Sequence, residues 1–384
     1  MDQHQFDIII NGGGLVGTSA ALALTRLGFR VALIESATPD RTALPNEQWD
    51  ARIFAISPIN RLFLQSLNAW PSHRRIGTIH TMQIMTSEGG QLDLSAKEAD
   101  IEALAWVIEQ RRILSLLWDQ LIQSSVTLFT KTKPIAYHVT QQKGFLTLYN
   151  GQILTTQLLI GADGANSWVR KQSALPYQTD DYQQTAIVAN FACETPHQGI
   201  ARQWFFGTDI LAWLPLPGRR FSMVWCTPDA HTLLRLDRQA LAQVVAKTGK
   251  HQLGTLRTIT DQQAFPLYAI KLITTVADRI VLIGDAAHLI HPLAGQGVNI
   301  GLRDVQQLVY SLSCATDPGN LTLLRHFSNR RLLPVKAMHY TCDGLYRLFG
   351  TSPTGLSRFC HSVLNRINHI APLKRQLIKL ATQF

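Results

Sequence analysis

Cysteine is scarce in this chain, and long apolar runs are missing. Five cysteines are scattered through 384 residues, none in a C-x-x-C pair and none spaced with histidine as in a zinc site. An odd, sparse set of thiols suits a reducing compartment and argues against a disulfide framework or a dithiol redox centre. No apolar stretch reaches the roughly 20 residues needed to cross a bilayer. The first one, Phe6 to Ile10, is too short for a secretory signal and runs straight into glycines. These absences predict a cytoplasmic protein. Internal repeats and low-complexity tracts are also missing, as is any Lys/Arg block interleaved with aromatics. The formal charge of +10 therefore points to anionic small ligands or an anionic membrane surface, and away from nucleic acid.

What is present is a 46% apolar composition, enough for a large core and more than one domain. Ile8 to Ile10 read as a strand, Asn11-Gly-Gly-Gly-Leu-Val-Gly17 as a turn, Thr18 to Leu27 as a helix stopped by Gly28, and Arg30 to Glu35 as a second strand. In the spacing Gly12-x-Gly14-x-x-Gly17, Gly12 permits the tight turn, Gly14 lets a pyrophosphate approach the backbone, and Gly17 lets helix pack on strand. Leu15 and Val16 fall in the same turn, and the helix that follows presents free N–H groups and its positive dipole end to the phosphates. Glu35 ends the next strand, where an acid accepts from a ribose hydroxyl. The other reading is an ordinary glycine turn in a βα unit.

Two further strands end in glycine and acid. Leu158 to Gly161 lead into Asp163-Gly164-Ala-Asn-Ser167-Trp-Val-Arg170; Asp163 is either a ligand contact at a strand end or a helix cap. Arg279 to Ile283 lead into Gly284-Asp285, then His288, His291, Pro292, Gly295, Gln296, Gly297, Val298 and Asn299. Asp285 is suited to polyol hydroxyls. Pro292 stiffens the turn, Gly295 and Gly297 bring backbone close to a flat ligand, and the helix from Val298 aims its positive end at it. That suits a ring that gains negative charge on reduction, such as a flavin. His288 and His291 form an H-x-x-H pair without a clear third ligand, so packing beside the ligand is favoured over metal. Gly301 has no role beyond close packing. Between Tyr177 and Pro266 short apolar strands separated by Pro/Gly turns predict an antiparallel sheet.

These three motifs, together with Asp50-Ala-Arg52 and Ile53-Phe-Ala-Ile-Ser57, resemble the class A flavoprotein monooxygenases. The long third motif resembles the ubiquinone-biosynthesis ring hydroxylases in particular. The resemblance implies an α/β fold like that of p-hydroxybenzoate hydroxylase: a Rossmann-like FAD-binding domain with an inserted antiparallel substrate sheet and C-terminal helices. The expected pieces are 1–75, 100–176 and 266–345 for FAD, 76–99 and 177–265 for substrate, and 346–384 as a terminal helical segment. It implies FAD at Gly12, Gly14 and Gly17, ribose at Glu35, Arg52 on the phosphate or adenosine side, and an amide, Gln110, near the cofactor with Arg111 beside it. Asp163 would be shared between FAD and a transient NADPH or NADH donor. Gly284 and Asp285 would meet the ribityl chain, and Pro292 to Asn299 the isoalloxazine.

The implied chemistry is oxygen transfer from O2, through a C4a-hydroperoxyflavin, to the ring of a polyprenylated phenol. No catalytic acid or base is assigned. Trp204, Phe206, Trp213 and Trp225 are either cavity wall or ordinary sheet core. The basic amphipathic run Ala371 to Phe384 either lies on a membrane, peripheral to the inner membrane, or packs on the body or on a quinone-synthesis complex. The alternatives are a hydroxylase of a small soluble phenol and a flavin-bound scaffold subunit. The W-x-W-x-I-P motif of flavin halogenases is not seen.

Overall fold

The computed structural model describes residues 4–38, 48–291, 293–350, 362 and 364–382. The α-helices used below are α1 (Leu15–Thr25), α2 (Pro58–Ser66), α3 (Gln110–Gln123), α4 (Trp168–Gln172), α5 (Ala230–Leu234), α6 (Arg238–Thr248), α7 (Gly297–Leu312), α8 (Leu321–Gly350) and α9 (Ala371–Thr382).

Strand Gln5–Asn11 lies at the centre of a mainly parallel sheet, between Val31–Glu35 and Ile153–Gly161, with Thr127–Thr130 and Ile280–Leu282 beyond them. Ile8, Ile9, Ile10, Leu33, Ile34, Leu159 and Ile160 are fully buried, as continuous apolar runs are when helices or strands cover both faces. From Asn11 the chain crosses through α1 to one side, while its other neighbour belongs to a later crossover. The order reverses there, and such a switch point opens a crevice at the C-terminal strand ends. Asn11 is level with Gly161, and Gly161 with Leu282. Register alone therefore puts the three glycine turns side by side. The expected hairpin closes at Asn150-Gly151, with Gly144–Leu148 antiparallel to Ile153–Thr156.

The second large sheet runs 256–258, 177–193, 220–227, 209–216, 200–206, 81–86, 91–95, with 263–272 also on 177–193. It is antiparallel as expected, except that Ile200–Phe206 pairs parallel with Thr81–Thr86. A small third sheet joins 53–56, 105–109 and 77–79. Two breaks expected from sequence fall inside elements: 265/266 within strand Gln263–Leu272, and 345/346 within α8, a 30-residue helix that continues through Pro334.

Candidate active site

Gly12 has φ +115°, and a Cβ there would lie 2.3 Å from the Ala162 carbonyl oxygen. At Gly17 a Cβ would lie 1.9 Å from Gly12 O, so α1 can sit on its own turn only if it carries hydrogen there. Gly14 differs: a Cβ would meet nothing within 4 Å. The open side of the turn is at the N-cap of α1, which has no side-chain cap. The N–H groups of Leu15, Val16 and Gly17 find no acceptor among the described residues, leaving an anion-ready helix end. Glu35 Oε2 accepts from Gly13 N at 2.6 Å, and Oε1 from Ala37 N at 2.9 Å. Trp118 of α3 donates from Nε1 to Gly13 O at 3.1 Å. The Gly13 peptide is thus clamped from both sides, and the Trp118 half of the clamp carried no signal in the sequence.

In the second motif the helix-cap reading of Asp163 matches the geometry. Its carboxylate accepts from Asn11 Nδ2 (2.9 Å), Trp168 N (2.8 Å), Val169 N (3.1 Å) and the Ser167 hydroxyl. Arg170 is buried and donates to Ala286 O at 3.0 Å and to Ala165 O. The second motif therefore braces the third across two strand ends.

In the third motif Gly284 (φ +60°) donates its N–H to Asp304 Oδ2 at 2.9 Å. The same oxygen accepts from His288 Nε2 at 2.6 Å, and Oδ1 from Arg331 Nε at 2.7 Å. Burial pushes the Asp304 carboxyl up, but the His288 and Arg331 charges and the hydrogen bonds outweigh it and hold it below the usual carboxylate range. His291 faces elsewhere. Its Nε2 donates to Gln184 Oε1 at 3.0 Å, its ring lies between Tyr182 and Tyr346, and burial pushes it down to about 4. The two histidines thus have separate protein partners.

Asn299 takes Ser57 N and Asn60 Nδ2 on its oxygen, both at 3.0 Å, and donates to Ala55 O at 2.8 Å, tying α7 to the start of α2. Gly295 has φ +63°, Gln296 is the N-cap of α7 without a side-chain cap bond, and Val298 packs at the edge of the main core. At Gly297 a Cβ would meet nothing within 4 Å. Gly301, left with only close packing, does pack closely: a Cβ would lie 2.7 Å from Val16 Cγ2 and 3.2 Å from Gly284 Cα. α7, α1 and the Gly284 turn meet at that one point. Pro292 lies outside the described residues.

Asp285 makes no hydrogen bond among the described residues. Burial pushes its carboxyl up, and the charges of His288 and Arg52 oppose this. Arg52 was expected on the phosphate or adenosine side. Its guanidinium lies over Phe54 of the small third sheet and Phe265 of the second sheet, at 5.8 and 5.6 Å, and its charge acts on Asp285. Asp50 anchors the segment, accepting from Arg52 N (3.0 Å) and Arg111 N (3.3 Å). Its own N–H goes to Glu109, a fully buried carboxylate paired with Arg75 and Arg112. Gln110 Oε1 is buried without a partner among the described residues, so a donor fits there.

The aromatic residues of the second sheet resolve as core. Trp204, Trp213 and Trp225 are buried in a cluster with α5 and α6, and Phe206 packs against it. Residues directly opposite in an antiparallel pair share a face; Trp204, Leu211, Trp225 and Ile187 lie in one row. The other face packs against Ile290, Leu293 and Ile300 of the third motif and, through Asn190 Nδ2, donates to Asp50 O at 2.8 Å. Its middle row, Val188, Val224 and Ala212, is small, apolar and only half-buried. α9 docks on the body: Lys374 is buried against Glu98 (2.5 Å), Arg375 donates to Glu98 O, and Ile378 is buried. No helix among the described residues is long and apolar enough to cross a membrane.

A glycine turn at a switch point, two helix ends without side-chain caps and an apolar sheet face packed on the third motif suit a flavoprotein oxygenase of the single-fingerprint kind. Residues 5–340 match the family model for an FAD binding domain. The chain is 32% identical to the 3-demethoxyubiquinol 3-hydroxylase of Escherichia coli (strain K12), covering 99% of both chains. It is 30% identical to the mitochondrial ubiquinone biosynthesis monooxygenase COQ6 of Danio rerio, over 100% of this chain and 90% of that one. The fold is similar to that of p-nitrophenol 4-monooxygenase PnpA from Pseudomonas putida DLL-E4 (TM-score 0.78, 14% identity, 99% of each chain). The chain belongs to the FAD-dependent monooxygenases, in the family of the ubiquinone-biosynthesis hydroxylases.

Proposed function

We propose that this monooxygenase hydroxylates the ring of a polyprenylated phenol in ubiquinone synthesis. The observation that carries the site is a convergence of unfilled places. Gly14 and Gly297 face open space, and among the described residues the first N–H groups of α1 have no acceptor and Asp285 and Gln110 Oε1 have no partner. These residues fit FAD. In this reading the N–H groups of Leu15, Val16 and Gly17 take the diphosphate and Glu35 the ribose, while Asp285 takes the ribityl hydroxyls. Gly295, Gln296, Gly297 and Val298 border the ring, and Gln110 and Arg111 lie near the cofactor. Arg52 adds positive charge on the Asp285 side. Asp163, Gly284 and Asn299 hold the frame. Bound FAD supplies the redox chemistry, between NADPH or NADH as donor and one oxygen atom of O2 for the ring. The helix end at Gly297 faces that ring with the positive end of its dipole. The row Val188, Val224 and Ala212 forms a flat, dry wall for the phenol, and the rest of its sheet forms the substrate domain. The tail of such a substrate lies in membrane, so contact with a membrane surface or a quinone-synthesis complex goes with this reading.

Purified protein is expected to release FAD on denaturation, and Asp285→Ala to lower flavin occupancy severalfold at equal protein. A deletion strain should accumulate a prenylphenol lacking one ring hydroxyl, identified by mass spectrometry. An unchanged quinone pool with no such intermediate overturns the substrate assignment. Oxygen uptake with NADH or NADPH and a soluble phenol then separates a catabolic hydroxylase, which that phenol would stimulate, from a scaffold, which it would not.

A further inference from the structure

Behind the Gly284 turn, on the side away from the crevice, lies a cavity of about 540 Å³ between α8 and the strands 177–193 and 263–272. That is within the roughly 300–1,000 Å³ of small-molecule sites. None of Gly12, Gly14, Asp285 or Gly297 lines it, but His288 and Asp304 do. Its wall on α8 is mixed: Phe327, Leu332 and Val335 are apolar, Ser328, Arg331 and Arg347 are polar or charged, and Tyr177 stands opposite. His339 also lines it. The ring is 5% exposed, and neither nitrogen has a hydrogen-bond partner among the described residues. A buried imidazole with both nitrogens unpaired costs a few kcal/mol unless something in the cavity answers it. Burial first, then the charges of His288 and Lys271, push this ring down to about 4, with Asp343 and Asp180 opposing. The neutral ring presents one donor and one acceptor, the pattern a hydroxyl group matches. At the rim Lys336 is exposed and makes no ion pair among the described residues, whereas Lys271 is already held by Asp180 and Asp343 at 2.9 Å.

We propose that this cavity is a second ligand site, for a hydroxylated aryl carboxylate whose ring packs on Phe327, Leu332 and Val335 of α8, whose hydroxyl pairs with His339 and whose carboxylate meets Lys336. The site shares Asp304 and His288 with the support of the Gly284 turn. Binding there is therefore felt at the flavin, and the coupling is reciprocal.

The test is calorimetric titration of the FAD-loaded protein with 4-hydroxyphenylacetate, phenylacetate and 4-cresol, which differ by the hydroxyl or the carboxylate. One saturable site is expected for 4-hydroxyphenylacetate, with each single-group analogue about tenfold weaker, the loss of one hydrogen bond or ion pair. His339→Leu should cancel the advantage of the hydroxyl and Lys336→Met that of the carboxylate, both with normal FAD content. Lys336 is exposed, so its variant folds even if the His339 variant does not. No saturable binding, or binding that Lys336→Met leaves unchanged, overturns the assignment and leaves a water-filled cavity. Unchanged binding in a folded His339→Leu protein does the same. FAD content and the quinone intermediate report on the hydroxylase reading independently.

Discussion

Replacing Gly301 by alanine adds a single methyl group, and the structure says where it goes. It would lie 2.7 Å from Val16 Cγ2 and 3.2 Å from Gly284 Cα. Normal carbon contacts begin near 3.5 Å. Val16 is β-branched and on a helix, so its rotamer cannot swing away cheaply. Gly284 cannot retreat either, because its N–H is tied to Asp304. Overpacking of this kind costs about 1–3 kcal/mol. Against it stands a gain of about 1 kcal/mol for alanine over glycine inside a helix. The net expectation is a loss of up to about 2 kcal/mol, with the added methyl taken up by moving the start of α7 or the Gly284 turn, so flavin occupancy falls as well. Val16→Ala removes the nearer obstacle but not the Gly284 Cα. The double variant should therefore recover part of the loss, with a coupling of about 1 kcal/mol between adjacent sites. Urea unfolding of the four proteins, with FAD content measured on each, decides it. A Gly301→Ala protein as stable as the parent, with full flavin, would refute the packing argument.

Asp304→Asn should cost about 3–5 kcal/mol, because Arg331 stays buried with no anion beside it, and FAD retention should drop with it; normal urea stability would show that Arg331 finds another partner. Arg170→Ala should lower flavin occupancy by loosening the Gly284 turn, since it removes the brace to Ala286 O; equal occupancy would limit Arg170 to local folding. His291 and His339 are both pushed down to about 4. In the unfolded chain they titrate near 6.5, so the unfolded state binds more protons between those values. Stability is full above about pH 6.5 and is lost as pH falls towards 4, by at most about 3 kcal/mol per ring. Denaturant midpoints at pH 7 and pH 5 measure the slope, and His291→Phe should flatten it; a parent whose midpoint does not move would mean these rings are solvated.

Much of the site could be anticipated from local sequence, for a physical reason. A turn that needs positive φ, as at Gly12 and Gly284, or an approach too close for a Cβ, as at Gly17, admits only glycine. Such demands arise within a few residues and stay visible in one chain. Gln110 and Arg52 entered only through family resemblance. The rings of Phe54 and Phe265 beside Arg52 come from strands distant in sequence from each other, so these contacts could not be read locally. Glu109 with Arg75 and Arg112, and Asp304 with His288 and Arg331, could not be foreseen. Glu109 and Arg112 are only an i,i+3 pair, but Arg75, His288 and Arg331 lie 34, 16 and 27 residues from their carboxylates, too far for periodicity to link them.

The sequence by itself determined the turns, the strand runs that precede them and which side chains share a sheet face, because each follows from backbone sterics or from the period of two. It grouped Trp204 with Phe206 but could not say what covers them. Only the tertiary structure decided that α5 and α6 take the aromatic face, leaving Val188, Val224 and Ala212 on the opposite one. It likewise decided that three glycine turns meet, because that depends on which distant strands pair and in what register. The helix at Ala371–Thr382 shows the same division. Its basic amphipathic pattern suits a membrane or a protein surface equally, and the buried pair of Lys374 with Glu98 places it on the body.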